Sequence, residues 1–177
     1  MISNGIVVDE NVIIYGYRPN SCGCCRPCCG HKGAYSQEII RKIKERKYIL
    51  VCTENISDRY QNHLQDNNDF KQDWAYFEHS GCVKVFPDED RIKLKKVLKN
   101  LNFHLRDYGF LISANYTKWR LIITEDLHFW DPGEKRTKDH DRQERVKNQN
   151  LGRVFKELKK RGFQIKNLKN WQECLSV

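Results

Sequence analysis

The sequence has no hydrophobic run long enough to cross a bilayer. Its longest apolar stretches, VVDENVIIY and FLISA, fall far short of the roughly 20 residues that a transmembrane helix needs. The N-terminal stretch MISNGIVVDE has no basic segment leading into a long apolar one, which argues against a signal peptide. From these absences we expect a soluble, cytoplasmic protein with no membrane partner.

Internal repeats and the common phosphate-binding motifs are also missing. The chain contains neither a GxGxxG motif nor a P-loop, and no Asn-Gly or Asp-Gly turn joins consecutive predicted strands. Predicted strands instead alternate with predicted helices, which indicates an α/β fold with a central, mostly parallel sheet and helices on its faces. The length of 177 residues fits a single domain over 1–177.

Positive charge exceeds negative charge, with 32 Lys and Arg against 23 Asp and Glu, a formal net charge of +9. Such a balance favours a polyanionic partner such as nucleic acid, although lysine-rich helices also serve solubility. The polar segment 131–150 is predicted to be a long charged loop that is either partly helical or mobile. Candidate phosphate contacts lie in the predicted helix 91–105 and in that loop: Lys95, Lys96, Lys99, Arg136 and Lys138.

Acidic residues recur where predicted strands end. Asp9 lies within IVVDENVIIY, residues 6–15, which reads as a buried strand, where a lone charge is costly unless it is paired or metal-bound. Asp126 follows the predicted strand LIIT, and Asp107 begins a predicted helix. Neighbouring parallel strands lie about 4.8 Å apart, so side chains at their carboxyl ends can converge. Clustered carboxylates need a cation to stay ionised together, and their oxygens favour Mg²⁺ or Mn²⁺.

These motifs together resemble the PIN-domain family of metal-dependent ribonucleases. The opening motif of that family is matched by Asp9 and Asn11 in VVDENVIIY, and its late motif by Thr124 and Asp126 in LIITEDLHFW. Between them, DYGFLISAN matches a family helix that starts with Asp, here Asp107. The ending FKELKKRGFQIKNLKNWQECL has the charged helix, Gly, short strand and closing turn of the family, so the resemblance covers nearly the whole chain.

The resemblance implies a three-layer α/β/α sandwich and an endoribonuclease dependent on Mg²⁺ or Mn²⁺. Asp9, Asp107 and Asp126 would hold the metal, while Asn11 and Thr124 would orient carboxylates or the loop backbone through hydrogen bonds. Cleavage of RNA would be hydrolytic. Because the family includes toxins of toxin–antitoxin pairs and proteins that dimerise, an antitoxin or other protein partner and a homodimer are further expectations.

The second acid of the family departs from the pattern here. It is usually a Glu on the helix after the second strand, and that helix reads TENISDRYQNHL in this chain. Asp58 is the first choice for this role because it lies nearest the expected position, and Glu54 is the alternative. Arg59 stands beside the expected position.

Cysteines cluster in the segment 18–33, which we expect to be an irregular loop inserted after the first strand. Two-residue spacings within it suit a zinc or iron–sulfur site, and the candidate ligands are Cys22, Cys24, Cys25, Cys28, Cys29 and His31. A redox pair, a disulfide or unliganded thiols are the other interpretations of the segment. Two alternatives to the nuclease therefore stay open: a non-catalytic nucleic-acid-binding module with a structural zinc, and a thiol-redox protein.

Overall fold

A five-stranded parallel β-sheet forms the centre of the protein. The computed structural model describes residues 1–18, 26–101, 103–126, 129, 152–168 and 171. The strands in these ranges are β1 (Gly5–Val8), β2 (Ile49–Thr53), β3 (Val83–Phe86), β4 (Leu121–Ile123) and β5 (Gln164–Lys166). All neighbouring strands are parallel, in the order β3-β2-β1-β4-β5. The α/β fold with a mostly parallel sheet is therefore confirmed.

Helices connect the strands. Those described are α1 (Glu10–Tyr17), α2 (Arg26–Lys44), α3 (Glu54–His63), α4 (Asn68–Ser80), α5 (Lys95–Asn100), α6 (Tyr108–Asn115) and α7 (Arg153–Lys160), with a 3₁₀ turn at Leu105–Asp107. Parallel strands need right-handed crossovers. After β3 the chain returns to the other side of β1 and forms β4 there. Right-handed crossovers therefore place the helices before and after that return on opposite faces of the sheet. The arrangement is thus compatible with a three-layer sandwich.

The order of the strands reverses between β1 and β4, which are neighbours in the sheet although they are far apart in sequence. Val7 lies opposite Ile122 and Val8 opposite Ile123. The amide of Asp9 extends the pairing by donating to the Ile123 carbonyl at 2.8 Å. In open parallel sheets, ligands bind at the carboxyl edge where the strand order reverses. The ends of β1 and β4 mark that place in this protein.

The central strands are buried along their whole length. Val7, Val8, Ile122 and Ile123 have no exposed surface, because helices cover the faces of a parallel sheet and leave no side of these strands to water. This explains why β1 and β4 read as continuous apolar runs, without the polar alternation of a half-exposed strand.

The predicted strand over 6–15 is wrong, because β1 ends at Val8 and α1 begins at Glu10. Asp9 separates them as the N-cap of α1, where its carboxylate accepts a hydrogen bond from the Asn11 amide at 2.9 Å. Such a side-chain acceptor satisfies one of the free amides at a helix start. The apolar residues that follow Asn11 resemble a strand in sequence, but they belong to a short helix. Val12 and Ile13 lie on its buried side.

The predicted loop over 18–33 is also wrong in its second half, because α2 already begins at Arg26. Proline in the first turn is compatible with this, since an amide there has no partner within the helix. The predicted helix 91–105 is shorter than expected and covers Lys95–Asn100. The charged segment 131–150 lies outside the described residues. None of the described helices is both long and apolar enough to span a membrane.

We expect truncation of Val7 to destabilise the protein far more than truncation of Val85. Val7→Ala removes two buried methyl groups from β1 and leaves a cavity, which should lower the free energy of unfolding by about 2–3 kcal/mol. Val85 lies on the edge strand β3 and is 42% exposed, so Val85→Ala should cost about 0.5 kcal/mol. Urea denaturation of both variants measures the difference, and equal losses would contradict the burial of β1.

Candidate active site at the carboxyl edge of the sheet

Asp9 is a buried carboxylate at the end of β1. Its exposed fraction is 2%, and both of its oxygens are engaged: Oδ1 accepts from the Asn11 amide at 2.9 Å, and Oδ2 accepts from the Thr124 hydroxyl at 2.5 Å. The contact from Asn11 comes from its backbone. The cap of α1 thus aims the Asp9 side chain at the neighbouring strand β4.

Thr124 links two of the acids. It is fully buried directly after β4, and its hydroxyl donates to Asp9 while accepting a hydrogen bond from the Asp126 amide at 2.9 Å. One hydroxyl group therefore fixes the Asp9 carboxylate and the backbone that carries Asp126. This is the kind of contact that the sequence predicted for Thr124.

Asp107 reaches the same edge from the 3₁₀ turn that precedes α6. Its exposed fraction is 4%. Oδ1 accepts a hydrogen bond from Arg59 Nη2 at 3.3 Å, whereas Oδ2 is buried and accepts none from the described residues. The Nδ1 atom of His104 lies 3.4 Å from Oδ2. A buried carboxylate oxygen without a hydrogen bond is costly, and proteins keep few of them.

The carboxylates of Asp9, Asp107 and Asp126 influence one another. Burial raises the pKa of Asp9 from 3.8 to about 7, against the hydrogen bond from Thr124, and the charges of Asp126 and Asp107 raise it further. Burial also raises the pKa of Asp107, as does the charge of Asp126, while nearby Arg59 lowers it. Like charges perturb each other in this way only at short range. The three predicted residues are therefore electrostatically coupled at this edge, but among the described residues no three acidic, histidine or cysteine side chains are arranged closely enough to hold a metal ion.

A guanidinium group lies beside these carboxylates. Arg59 on α3 donates from Nε to Glu10 Oε2 at 2.5 Å, from Nη2 to Asp107 Oδ1, and from Nη1 to the Arg106 carbonyl at 2.8 Å. The ring of Phe110 lies 5.0 Å from the Arg59 guanidinium carbon. The side chains of Arg59 and Glu10 are 12% and 11% exposed, so this ion pair is largely shielded from water.

The pair of Glu10 and Arg59 was missed as part of the site. Glu10 adjoins Asp9 at the start of α1, and Arg59 adjoins the expected position of the second acid, so both positions carried a signal. The sequence alone does not show that residues 49 positions apart face each other across two helices. The useful signal was a positive charge at a position where an acid was expected.

The two candidates for the second acid do not join the cluster. Asp58 and Glu54 are both exposed on α3. Neither is among the charges that act on Asp9 or Asp107, and the neighbouring residue Arg59 is the one whose side chain turns inward. Consecutive helical residues point about 100° apart, so a shift of one position replaces a carboxylate with a guanidinium. A role for Asp58 or Glu54 stays a prediction without a contact to support it.

The cysteine site stays a prediction. Cys22, Cys24 and Cys25 lie outside the described residues, and Cys28, Cys29 and His31 fall in the first turns of α2, where the backbone alone is described. Within the described part of the chain, no group of three or more His, Cys, Asp or Glu side chains is arranged to hold a metal ion. Cys52 and Cys82 are buried free thiols, and burial raises the pKa of Cys52 to about 12.

Basic residues lie on α5, the helix that packs against the turn carrying Asp107. Lys95, Lys96 and Lys99 are exposed on this helix. The Tyr108 hydroxyl accepts from the Leu94 amide at 2.9 Å and so joins the start of α5 to the start of α6. Arg136 and Lys138 lie outside the described residues.

The raised pKa of Asp9 predicts that stability falls as the pH rises in the absence of metal. Because the folded protein holds this proton more tightly than the unfolded chain, folding is favoured below about pH 4 and loses that advantage up to about pH 7. The loss amounts to at most roughly 4 kcal/mol. Asp9→Asn should flatten the dependence, as measured by urea denaturation between pH 4 and pH 8 in EDTA.

The exposed acid Asp58 provides the control for this measurement. Asp58→Asn should leave the pH dependence parallel to that of the wild type. Equal slopes for the wild type and Asp9→Asn would contradict the assignment of the shift to Asp9.

Comparison with known proteins gives no family. No protein-family model, no curated protein and no solved structure matches the chain. The fold and the cluster are therefore what the structure establishes, and the PIN-domain resemblance rests on the motifs alone.

Proposed function

We propose that this protein is a metal-dependent endoribonuclease whose essential acids are Asp9, Asp107 and Asp126. The burial of Asp9 at the place where the strand order reverses carries the proposal, because its carboxylate is held there by Thr124 from the neighbouring strand. Strongly perturbed acids at such a place favour a functional site over a structural one. A bound cation would offset the repulsion that the three charges exert on one another.

The donor atoms at this edge are of the type that a hard divalent cation prefers, but the described side chains do not form a group of three arranged to hold one. All three acids offer carboxylate oxygens, which Mg²⁺ and Mn²⁺ prefer. The buried Oδ2 of Asp107 accepts no hydrogen bond from the described residues, and its nearest described cationic group is His104 Nδ1 at 3.4 Å. Asp9, Asp107 and Asp126 would hold the ion, which when bound polarises a phosphodiester and lowers the pKa of a coordinated water.

The surrounding residues would keep the acids in place. Thr124 and the Asn11 amide fix the two oxygens of Asp9, while Arg59 fixes one oxygen of Asp107. Because these contacts are buried, the carboxylates are oriented before a substrate arrives, which lowers the reorganisation that binding requires.

The basic surface beside the acids would bind the phosphate backbone of the substrate. Exposed lysines on α5 lie next to the turn that carries Asp107, and the net charge of +9 attracts a polyanion at long range. RNA as the substrate, an antitoxin or other protein partner, a homodimer and a cytoplasmic location are carried over from the sequence as predictions.

The alternative function is a nucleic-acid-binding module without catalysis. Arg59 favours it, because its ion pairs with Glu10 and Asp107 neutralise part of the acidic cluster without a metal. In that case the lysines would bind RNA, and a structural Zn²⁺ or an iron–sulfur cluster at the cysteine segment would serve stability.

We expect Mn²⁺-dependent cleavage of a mixed pool of single-stranded and hairpin RNA. EDTA should abolish cleavage, and Asp9→Asn or Asp126→Asn should slow it at least about a hundredfold, because several kcal/mol of transition-state stabilisation are lost. Asp58→Asn changes an exposed acid on α3 and should leave the rate within about twofold. RNA that is bound but left intact in every sample would favour the module without catalysis.

Neutralising α5 should weaken RNA binding. In Lys96→Gln/Lys99→Gln, two phosphate contacts are lost, so the slope of log K against log salt should fall in magnitude by about 1.4 for single strands. Lys159 and Lys160 are an exposed pair at the far end of α7, and Lys159→Gln/Lys160→Gln should leave the slope unchanged. Fluorescence anisotropy at roughly 50–300 mM salt measures the slope for both variants. Equal slopes would exclude α5 as the contact to the phosphate backbone.

A further inference from the structure

The charged groups around Glu10 are sorted by depth. The carboxylates of Glu10 and Asp107 are buried, whereas the side chains of Arg106, His104 and His63 are 58%, 54% and 43% exposed. Each of these three side chains has a nitrogen atom within 4.0 Å of one of the two carboxylates. An anion that approaches this edge of the sheet therefore meets nitrogen groups before it meets the buried acids.

We infer, on the basis of the proposed function, that Arg106 binds a phosphate of the RNA substrate beside the acidic cluster. The Arg106 guanidinium lies next to Glu10, and Arg59 joins Glu10 to Asp107. A phosphate held by Arg106 is thus close to an acid that cleavage would use. The planar guanidinium presents its N–H donors as a fork that matches two oxygens of one phosphate.

The backbone of Arg106 is fixed, while its guanidinium group stays accessible. Its carbonyl accepts a hydrogen bond from Arg59 Nη1 at 2.8 Å, and the Asp107 amide donates to the His104 carbonyl at 2.9 Å, which closes the 3₁₀ turn. Among the described residues, Glu10 Oε1 at 3.7 Å from Nη2 is the only charged partner of the Arg106 side chain. That distance is too long for a hydrogen bond, so its donors remain for a phosphate.

Glu10 gathers a second nitrogen group at the same place. His63 Nε2 lies 3.9 Å from Glu10 Oε1, whereas Oε2 accepts from Arg59 at 2.5 Å. Oε1 is therefore shared by two exposed side chains that come from different elements, α3 and the 3₁₀ turn. Because one carboxylate attracts both, Arg106 and His63 lie near each other before a substrate arrives, which lowers the entropy lost on binding.

Binding of a short, fluorescein-labelled single-stranded RNA in EDTA tests this role of Arg106 without cleavage. For Arg106→Gln we expect the dissociation constant to rise about tenfold, because a charge-assisted contact to phosphate is lost. The slope of log K against log salt should fall in magnitude by about 0.7, the value for one phosphate contact on a single strand. Arg106→Lys keeps the positive charge and should restore the slope.

Arg161 provides a matched control. Its side chain is 42% exposed and also pairs with a glutamate, through Nε at 2.7 Å from Glu157 Oε1. It follows α7 and precedes β5, so it lies at the amino edge of the parallel sheet, away from the acids. Arg161→Gln removes the same charge from the protein and should leave both the affinity and the slope unchanged.

The outcomes separate the role of Arg106 from the proposed function. Wild-type affinity in Arg106→Gln, an equal loss in Arg161→Gln, or a slope that Arg106→Lys does not restore would overturn the phosphate contact. Mn²⁺-dependent cleavage by the wild type would still support the nuclease in each case. Weaker binding by Arg106→Gln without any cleavage by the wild type would keep the contact and favour the module without catalysis.

Circular dichroism checks that the variants are folded. The exposed guanidinium of Arg106 buries little surface, so Arg106→Gln and Arg106→Lys should both melt like the wild type. An unfolded Arg106→Gln would contradict an exposed, accessible guanidinium and would also overturn the inference.

Discussion

The hydrogen bond from Thr124 Oγ1 to Asp9 Oδ2 joins residues 115 positions apart across the ends of β1 and β4. It is available because those two strands are neighbours, and the same hydroxyl accepts from the Asp126 amide. The positions of two acids thus depend on a single strand pairing. The arrangement of these acids therefore rests on a long-range contact and not on local structure.

Burial of Asp9 opposes folding, and the surrounding structure offsets it. A carboxylate whose pKa rises to about 7 is less favourable inside the protein than in water. The apolar strands beside it supply the compensating hydrophobic energy, since β1 and β4 are buried throughout. Strongly perturbed acids are concentrated at functional sites, and this is the physical ground for placing the proposed function at this edge.

Local pattern predicted the acids but not their counter-charge. Asp9, Asp107 and Asp126 were recognisable because each lies where an apolar segment meets a polar one, which is a property of a few consecutive residues. The pairing of Glu10 with Arg59 depends on how α1 and α3 pack, which no short window contains. The end of β1 was also misplaced, because the β-branched residues on both sides of Asp9 resemble one continuous strand. The hydrogen bond to the Asp9 side chain instead starts a helix at that point.

Asp107 divides the cluster into two electrostatically different halves. Its Oδ1 faces Arg59, which also neutralises Glu10, while its carboxylate responds to the charge of Asp126 on the other side. The first half is complete as a protein ion pair. The second half contains Asp9, Asp126 and Oδ2 of Asp107, which faces His104 Nδ1 at 3.4 Å, and hydrogen bonds through Thr124 orient Asp9 and the backbone of Asp126. Under the proposed function, a divalent ion would bind in that second half.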